Sequence, residues 1–265
     1  MASELRINRA VLSEHHPPLC PELDAALARE YGLRKLESTR AQKLLERTSK
    51  DPELYIFGGF CRTADDKDRR NPRKPFPRKP HLLYVLNKIM SLSQGEIFAM
   101  TKSRQIMISW LLAAVASFEA RAYAHSRTMI QAKKAEDTWH FVYWQSFVHS
   151  RIGFIEAAQP PWMRMNGLRG TRGHLWYPSG AIISAMPQGA DAARSYSASL
   201  YVFDEAAFQV DFGETFRAVV PMAKGDPNIP DSGGRIVLTS SAKGGTDYAE
   251  IVEETDEHNF HREAA

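Results

Sequence analysis

From Pro80 onward, short apolar runs alternate with helical segments, and this alternation restricts the fold more than any other property of the chain. Residues 96–101, 127–132, 200–203 and 235–239 read as short buried strands, while 81–92, 109–124, 135–148 and 212–222 carry helical patterns. Strands of this kind, apolar on both faces and joined by helices, predict a mostly parallel sheet covered on both sides. A hairpin is expected where residues 174–177 and 181–185 flank Pro178, Ser179 and Gly180. There is no internal repeat.

Two strand ends carry chemistry. The first runs Met100-Thr101-Lys102-Ser103-Arg104-Gln105-Ile106-Met107-Ile108-Ser109-Trp110, between a short strand and a long helix. A turn in that place exposes successive backbone N–H groups at the positive end of a helix dipole, which is an anion site. The ordinary phosphate loop has Gly and Lys just before its final hydroxyl residue, whereas this chain has Met107 and Ile108. The second is Leu200-Tyr201-Val202-Phe203-Asp204-Glu205, an apolar strand ending in two carboxylates. Alone, the first reads more readily as a basic turn without a ligand, and the second equally well as an acidic start to a helix. Together and in this order they favour hydrolysis of a nucleoside triphosphate. Asp204 would hold Mg²⁺, and Glu205 would orient and deprotonate the attacking water.

At these residues the sequence resembles the terminase large subunits of tailed bacteriophages, where Lys-Ser-Arg-Gln, an apolar residue and Ser/Thr is a familiar form of the loop. The resemblance covers approximately residues 80–248. It implies an α/β fold of the P-loop NTPase type (RecA-like, ASCE) with a mostly parallel central sheet flanked by helices, plus an N-terminal helical extension. It implies that Lys102, Ser103, Arg104, Gln105, Ile106, Met107, Ile108 and Ser109 cradle ATP. In that arrangement Lys102, moved to the start of the loop, charges the β and γ phosphates, and Ser109 joins Asp204 on Mg²⁺. Arg104 matches the family's loop arginine, which acts on the γ-phosphate within its own subunit, and Glu205 is the catalytic carboxylate.

Within Gly189-Ala190-Asp191-Ala192-Ala193-Arg194-Ser195, Arg194 matches the arginine finger offered to a neighbouring subunit; its plainer reading is a surface arginine paired with Asp191. Thr239 and Ser240, in the run 234–244, match the segment that couples hydrolysis to movement. Lys79, Pro80 and His81 are nearest to the family's adenine-holding residues, without the usual glutamine. The implied activity is an ATPase that drives double-stranded DNA into a procapsid. Its implied partners are DNA, portal protein, the small terminase subunit and further copies in a ring, a pentamer by resemblance. The implied location is the host cytoplasm. Such enzymes commonly continue into an RNase H-like nuclease; too few residues follow Tyr248 for one, so no endonuclease activity is expected. Two alternatives stay open: another RecA-like helicase or translocase, which needs a second motor lobe, and a non-hydrolysing DNA-binding or assembly module with a degenerate loop.

The remaining features bound this reading. With 43% hydrophobic and 25% charged residues, 265 residues suffice for a substantial core. Residues 1–60 suggest a helical extension, 61–80 a basic Pro-rich linker, and 81–265 the ATPase domain. A net charge of +3 favours a polyanionic partner only weakly. Neither Cys20 and Cys61 nor the histidines show metal-ligand spacing, and the thiols suit a reducing compartment. Acidic residues and no apolar run near Met1 give no expectation of a signal peptide, and the longest apolar run, 110–118, falls well short of the ~20 residues that span a bilayer, so no membrane association is expected.

Overall fold

A computed structural model describes residues 38–64, 73–103, 106–142, 150–194, 197–226, 228–229, 232–253 and 260–264. Its centre is an eight-stranded sheet in the order β10-β3-β9-β8-β4-β7-β6-β5. The parallel part comprises β10 (Phe260–Ala264), β3 (Ile97–Lys102), β9 (Arg235–Ser241), β8 (Leu200–Asp204), β4 (Arg127–Gln131) and β7 (Ile182–Ala185). The antiparallel strands β6 (His174–Trp176) and β5 (Arg169–Thr171) extend it as a meander, so the hairpin expected around Pro178-Ser179-Gly180 forms.

Side-chain alternation divides the core between the two faces of the sheet. Phe98 and Met100 of β3, Leu200 and Val202 of β8, and Val237 of β9 face one cluster, with α3 (Pro80–Ser91) and α4 (Ile108–Ala122). Their neighbours Ile97, Ala99, Tyr201, Phe203, Ile236 and Leu238 face the other, which α8 (Phe212–Lys224) and α9 (Asp247–Glu253) cover through Phe212, Phe216, Val219 and Tyr248. Each fully buried side chain of this size is worth ~1.5–3 kcal/mol, so every central strand is held from both sides. Helix α4 is buried almost all round, from Leu111 to Arg121, which explains its apolar run; among the described residues no helix is long and apolar enough to cross a membrane.

The expected helix over 135–148 is described as α5 (Ala135–Val142), with 143–149 outside the described residues, and a separate α6 (Arg151–Ala157) follows. Helices α1 (Ser38–Thr48) and α2 (Pro52–Phe57) precede the sheet. Asp51 caps α2 by accepting the Leu54 N–H at 2.8 Å, and Pro52 at its first position needs no donor. Ala41, Leu44, Tyr55 and Ile56 enter the same core cluster as α4. The stretch read as a linker is folded at both described ends: β1 (Arg62–Ala64) pairs antiparallel with β2 (Arg73–Pro75), and Cys61 and Phe76 are buried. The apolar residues Cys61 and Phe76, at the ends of this basic, Pro-rich stretch, are drawn into the core.

Candidate active site

Three neighbouring strands deliver the functional residues. β9 lies between β3, which leads into the lysine-bearing turn, and β8, which ends in the acids. All three run parallel, so their C-terminal ends open on the same edge, where open α/β sheets bind ligands.

Strand alternation alone would place Asp204 and Glu205 on opposite faces. Glu205 takes a left-handed conformation (φ 55, ψ 43) and reverses the chain into a short 3₁₀ turn, Ala206–Phe208. Both carboxylates thereby reach one site. Met107 is also left-handed (φ 65, ψ 15) and stands immediately before α4, at the place where the ordinary loop has glycine. A non-glycine residue there costs roughly 1–2 kcal/mol, and such strain gathers at functional sites. The Met107 side chain packs against the core and does not cap the helix. The first turn of α4, whose residues Ile108, Ser109 and Trp110 line the adjoining cavity, is therefore left without a side-chain cap.

The two segments meet directly. Lys102 Nζ donates to Glu205 Oε1 at 2.6 Å and lies 3.8 Å from Asp204 Oδ1. Ser109 Oγ donates to Asp204 Oδ2 at 2.5 Å. Lys102 and Asp204 are buried, with side chains 6% and 7% exposed, whereas Glu205 at 30% reaches the opening. The intervening strand binds the acidic turn through three consecutive residues. Thr239 Oγ1 donates to Asp204 Oδ1 (2.9 Å), Ser240 Oγ accepts the Ala207 N–H (3.1 Å), and Ser241 gives its N–H to Glu205 Oε2 (3.1 Å) and its hydroxyl to Glu205 Oε1 (3.3 Å). Burial pushes the Glu205 carboxyl up, but the Lys102 ammonium and the Ser241 donors outweigh it and hold the group below its ordinary value. Glu205 is therefore ionised at neutral pH.

Of these groups Lys102, Ser109, Glu205 and Ser241 line a cavity of about 530 Å³, together with Ile106 to Ile108, Trp110, Lys133, Arg151 and Phe208, a size suited to a small polar ligand. His81 Nε2 lies 3.3 Å from Ile106 O, which ties the start of α3 to the turn.

Of the residues expected at the site, Lys102, Ser109, Asp204, Glu205, Thr239 and Ser240 are brought together, with Ile106, Met107 and Ile108 in the cavity wall. Ser103 is exposed beside it; Arg104 and Gln105 lie outside the described residues. Arg194 follows the short helix α7 (Ala190–Ala193) on the surface, paired with Asp191 at 2.7 Å. Not anticipated were Ser241, Arg151, Lys133 and Phe208. Ser241 was legible as the next hydroxyl in the Thr239-Ser240 run, while no local pattern singles out the other three.

A turn from strand to helix, a mostly parallel central sheet covered on both faces and a strand ending in paired acids are consistent with an α/β fold of the RecA-like type. No family model matches the sequence, and no curated protein matches it either. Solved structures do. A point mutant of the ATPase domain of the Thermus phage P74-26 large terminase superposes with a TM-score of 0.50 at 13% identity, over 72% of this chain and 82% of that one. The large terminase of a thermophilic bacteriophage, in complex with ADP, gives 0.51 at 11% identity, over 71% of this chain and 45% of that one. The chain thus has the fold of phage large-terminase ATPase domains.

Proposed function

We propose that this chain is the ATP-hydrolysing motor domain of a viral DNA-packaging terminase, moving double-stranded DNA into a procapsid. The observation that carries the reading is the meeting of the Lys102 turn with the Asp204–Glu205 turn, through contacts of 2.6 and 2.5 Å, at the wall of an open cavity. The fold shared with a terminase solved with ADP agrees with it.

The donor set fits Mg²⁺. Ser109 Oγ and Asp204 Oδ2 are adjacent hard oxygen donors. That combination suits an ion that keeps its own waters and phosphate oxygens. When bound, Mg²⁺ supplies neutralisation of phosphate charge. The protein's own residues do the rest. The first-turn N–H groups of α4 and the Lys102 ammonium bind the phosphate oxygens, which draws Lys102 from Glu205. Glu205, released and ionised, accepts a proton from the water that attacks the γ-phosphorus as the bond to the β–γ bridging oxygen breaks, yielding ADP and phosphate. Ser241 keeps Glu205 oriented. Thr239 and Ser240, bound to the acidic turn, carry its rearrangement into β9. Arg194 completes the site of a neighbouring copy in a ring, exchanging Asp191 for a phosphate. DNA contacts would be mainly to phosphates and therefore salt-sensitive. Portal protein and the small terminase subunit are the proposed assembly partners.

Phosphate release by the purified chain, with Mg²⁺ and with double-stranded DNA at concentrations that allow assembly, tests this reading. Glu205→Gln is expected to lower turnover ~10²–10⁴-fold while nucleotide still binds, and Lys102→Ala to lose binding as well. A second reading is favoured by Ile108 in place of the ordinary lysine and by the left-handed Met107: a nucleotide-binding assembly module without hydrolysis. Tight ATP binding with no phosphate release, even with DNA and other copies present, would decide for it.

A further inference from the structure

Resting on the nucleotide-site reading, we infer that Arg151 is a further phosphate-contacting residue, bringing a second cation from the same chain to the terminal end of a bound triphosphate. Arg151 opens α6 behind its N-cap Ser150, whose Oγ accepts the Gly153 N–H at 3.1 Å and donates to Phe141 O at 3.3 Å. The backbone that presents the side chain is therefore fixed at both ends of the α5–α6 connection. The guanidinium carbon sits 4.6 Å from the centroid of the Phe141 ring. Stacking of this kind engages the face of the guanidinium and leaves its N–H edges for other partners. The side chain lines the same cavity as Lys102, Ser109 and Glu205. Among the described residues, no carboxylate forms a salt bridge with it.

The cavity that Arg151 lines also holds the Glu205 carboxylate. Burial lowers the affinity of the guanidinium for its proton, and the charges of Asp204 and Asp137 oppose that effect. Asp204 is the carboxylate joined to Ser109, on the side where Glu205 would meet the γ-phosphate. A triphosphate needs more positive charge there than this loop provides: Ile108 removes the ordinary lysine, and Lys102 is shared between two carboxylates. Lys133 also lines the cavity, but it is exposed and its ammonium lies over the Phe208 ring at 5.1 Å. Arg151 is the half-buried, pre-stacked cation whose planar fork matches two phosphate oxygens.

The test is calorimetric titration of the full chain and of Arg151→Ala, Arg151→Gln and Arg151→Lys with Mg²⁺ and either a non-hydrolysable ATP analogue or ADP. Arg151→Ala and Arg151→Gln are expected to weaken the triphosphate analogue about tenfold or more, the effect of losing a charge-assisted contact, and ADP less than about threefold; Arg151→Lys recovers part of the difference. Equal weakening of both nucleotides, or unchanged binding with a lowered melting temperature, would overturn the inference and leave Arg151 a packing residue. Thermal melts and the Gln and Lys variants keep the test open should Arg151→Ala fold poorly. If the unaltered chain binds neither nucleotide, the reading of the site itself fails; if it binds both and the variants leave their ratio intact, only the role of Arg151 does.

Discussion

The network around Arg121 and Glu156 and the site around Lys102 and Glu205 use the same materials, a cation, a carboxylate and hydroxyl groups, to opposite ends. In the first, Glu156 Oε1 accepts from Ser117 (2.6 Å), Tyr177 (2.7 Å) and Arg121 Nε (3.1 Å), Arg121 Nη2 pairs with Oε2, and Arg121 Nη1 donates to Met163 O (3.0 Å). Tyr55 joins through Ser117 and Gln159. Burial drives the Tyr55 and Tyr177 phenols far up, so they remain neutral donors at any ordinary pH. This network lies among helices, is closed to solvent, and links α2 to the core. The second stands at the C-terminal ends of parallel strands, is approached by two left-handed residues, and opens on a cavity. Buried charge is therefore not what marks a functional site. The marks are access for a ligand, stored backbone strain, and partners that a ligand can replace.

The comparison can be broken by experiment. Glu156→Ala leaves Arg121 charged and unpaired in the interior, and it should cost about 3–5 kcal/mol in urea unfolding. Glu205→Gln should be much milder in the same assay while lowering turnover ~10²–10⁴-fold. Equal losses of stability would erase the distinction. A smaller effect concerns protonation. Glu205 is held below its ordinary value of 4.5, so its ionised form contributes stability that is complete above that pH and is lost as pH falls through the depressed value. In Lys102→Ala, burial is no longer outweighed by the ammonium, and the Glu205 pKa should rise, as followed by carbon NMR of its carboxyl group. A fixed pKa would mean that the 2.6 Å contact is not made in solution. Smallest of all, Arg194 and Asp191 form an exposed pair. Asp191→Ala should leave the melting temperature unchanged, because solvated ion pairs contribute little.

Much of this architecture was legible in the sequence, and the exceptions have physical causes. The strands at 96–101, 127–132, 200–203 and 235–239 lie within two residues of those observed, because uninterrupted apolar runs bounded by polar turns leave few alternatives. The apolar run of α4 was readable as a buried helix for the same reason. Strand order was not readable, since nothing local in β9 records that it inserts between β3 and β8. The meeting of Lys102 with Glu205 follows from that order, and the motifs implied it only through resemblance. β1 and β2 escaped notice because three-residue strands are defined by pairing rather than pattern. Arg151 escaped because its place depends on how α5 and α6 fold back on the sheet.

The four hydrogen bonds that tie Thr239, Ser240 and Ser241 to residues 204–207 make β9 and the acidic turn mechanically inseparable over small displacements. Sliding β9 by about 1 Å would stretch all of them together toward the limit of hydrogen bonding, and halfway positions would strand fully buried hydroxyls without partners. Such a joint resists gradual drift and yields, if at all, in a single step, so that a change of a few tenths of an ångström at the carboxylates is either absorbed entirely or delivered whole to the chain beyond Ser241.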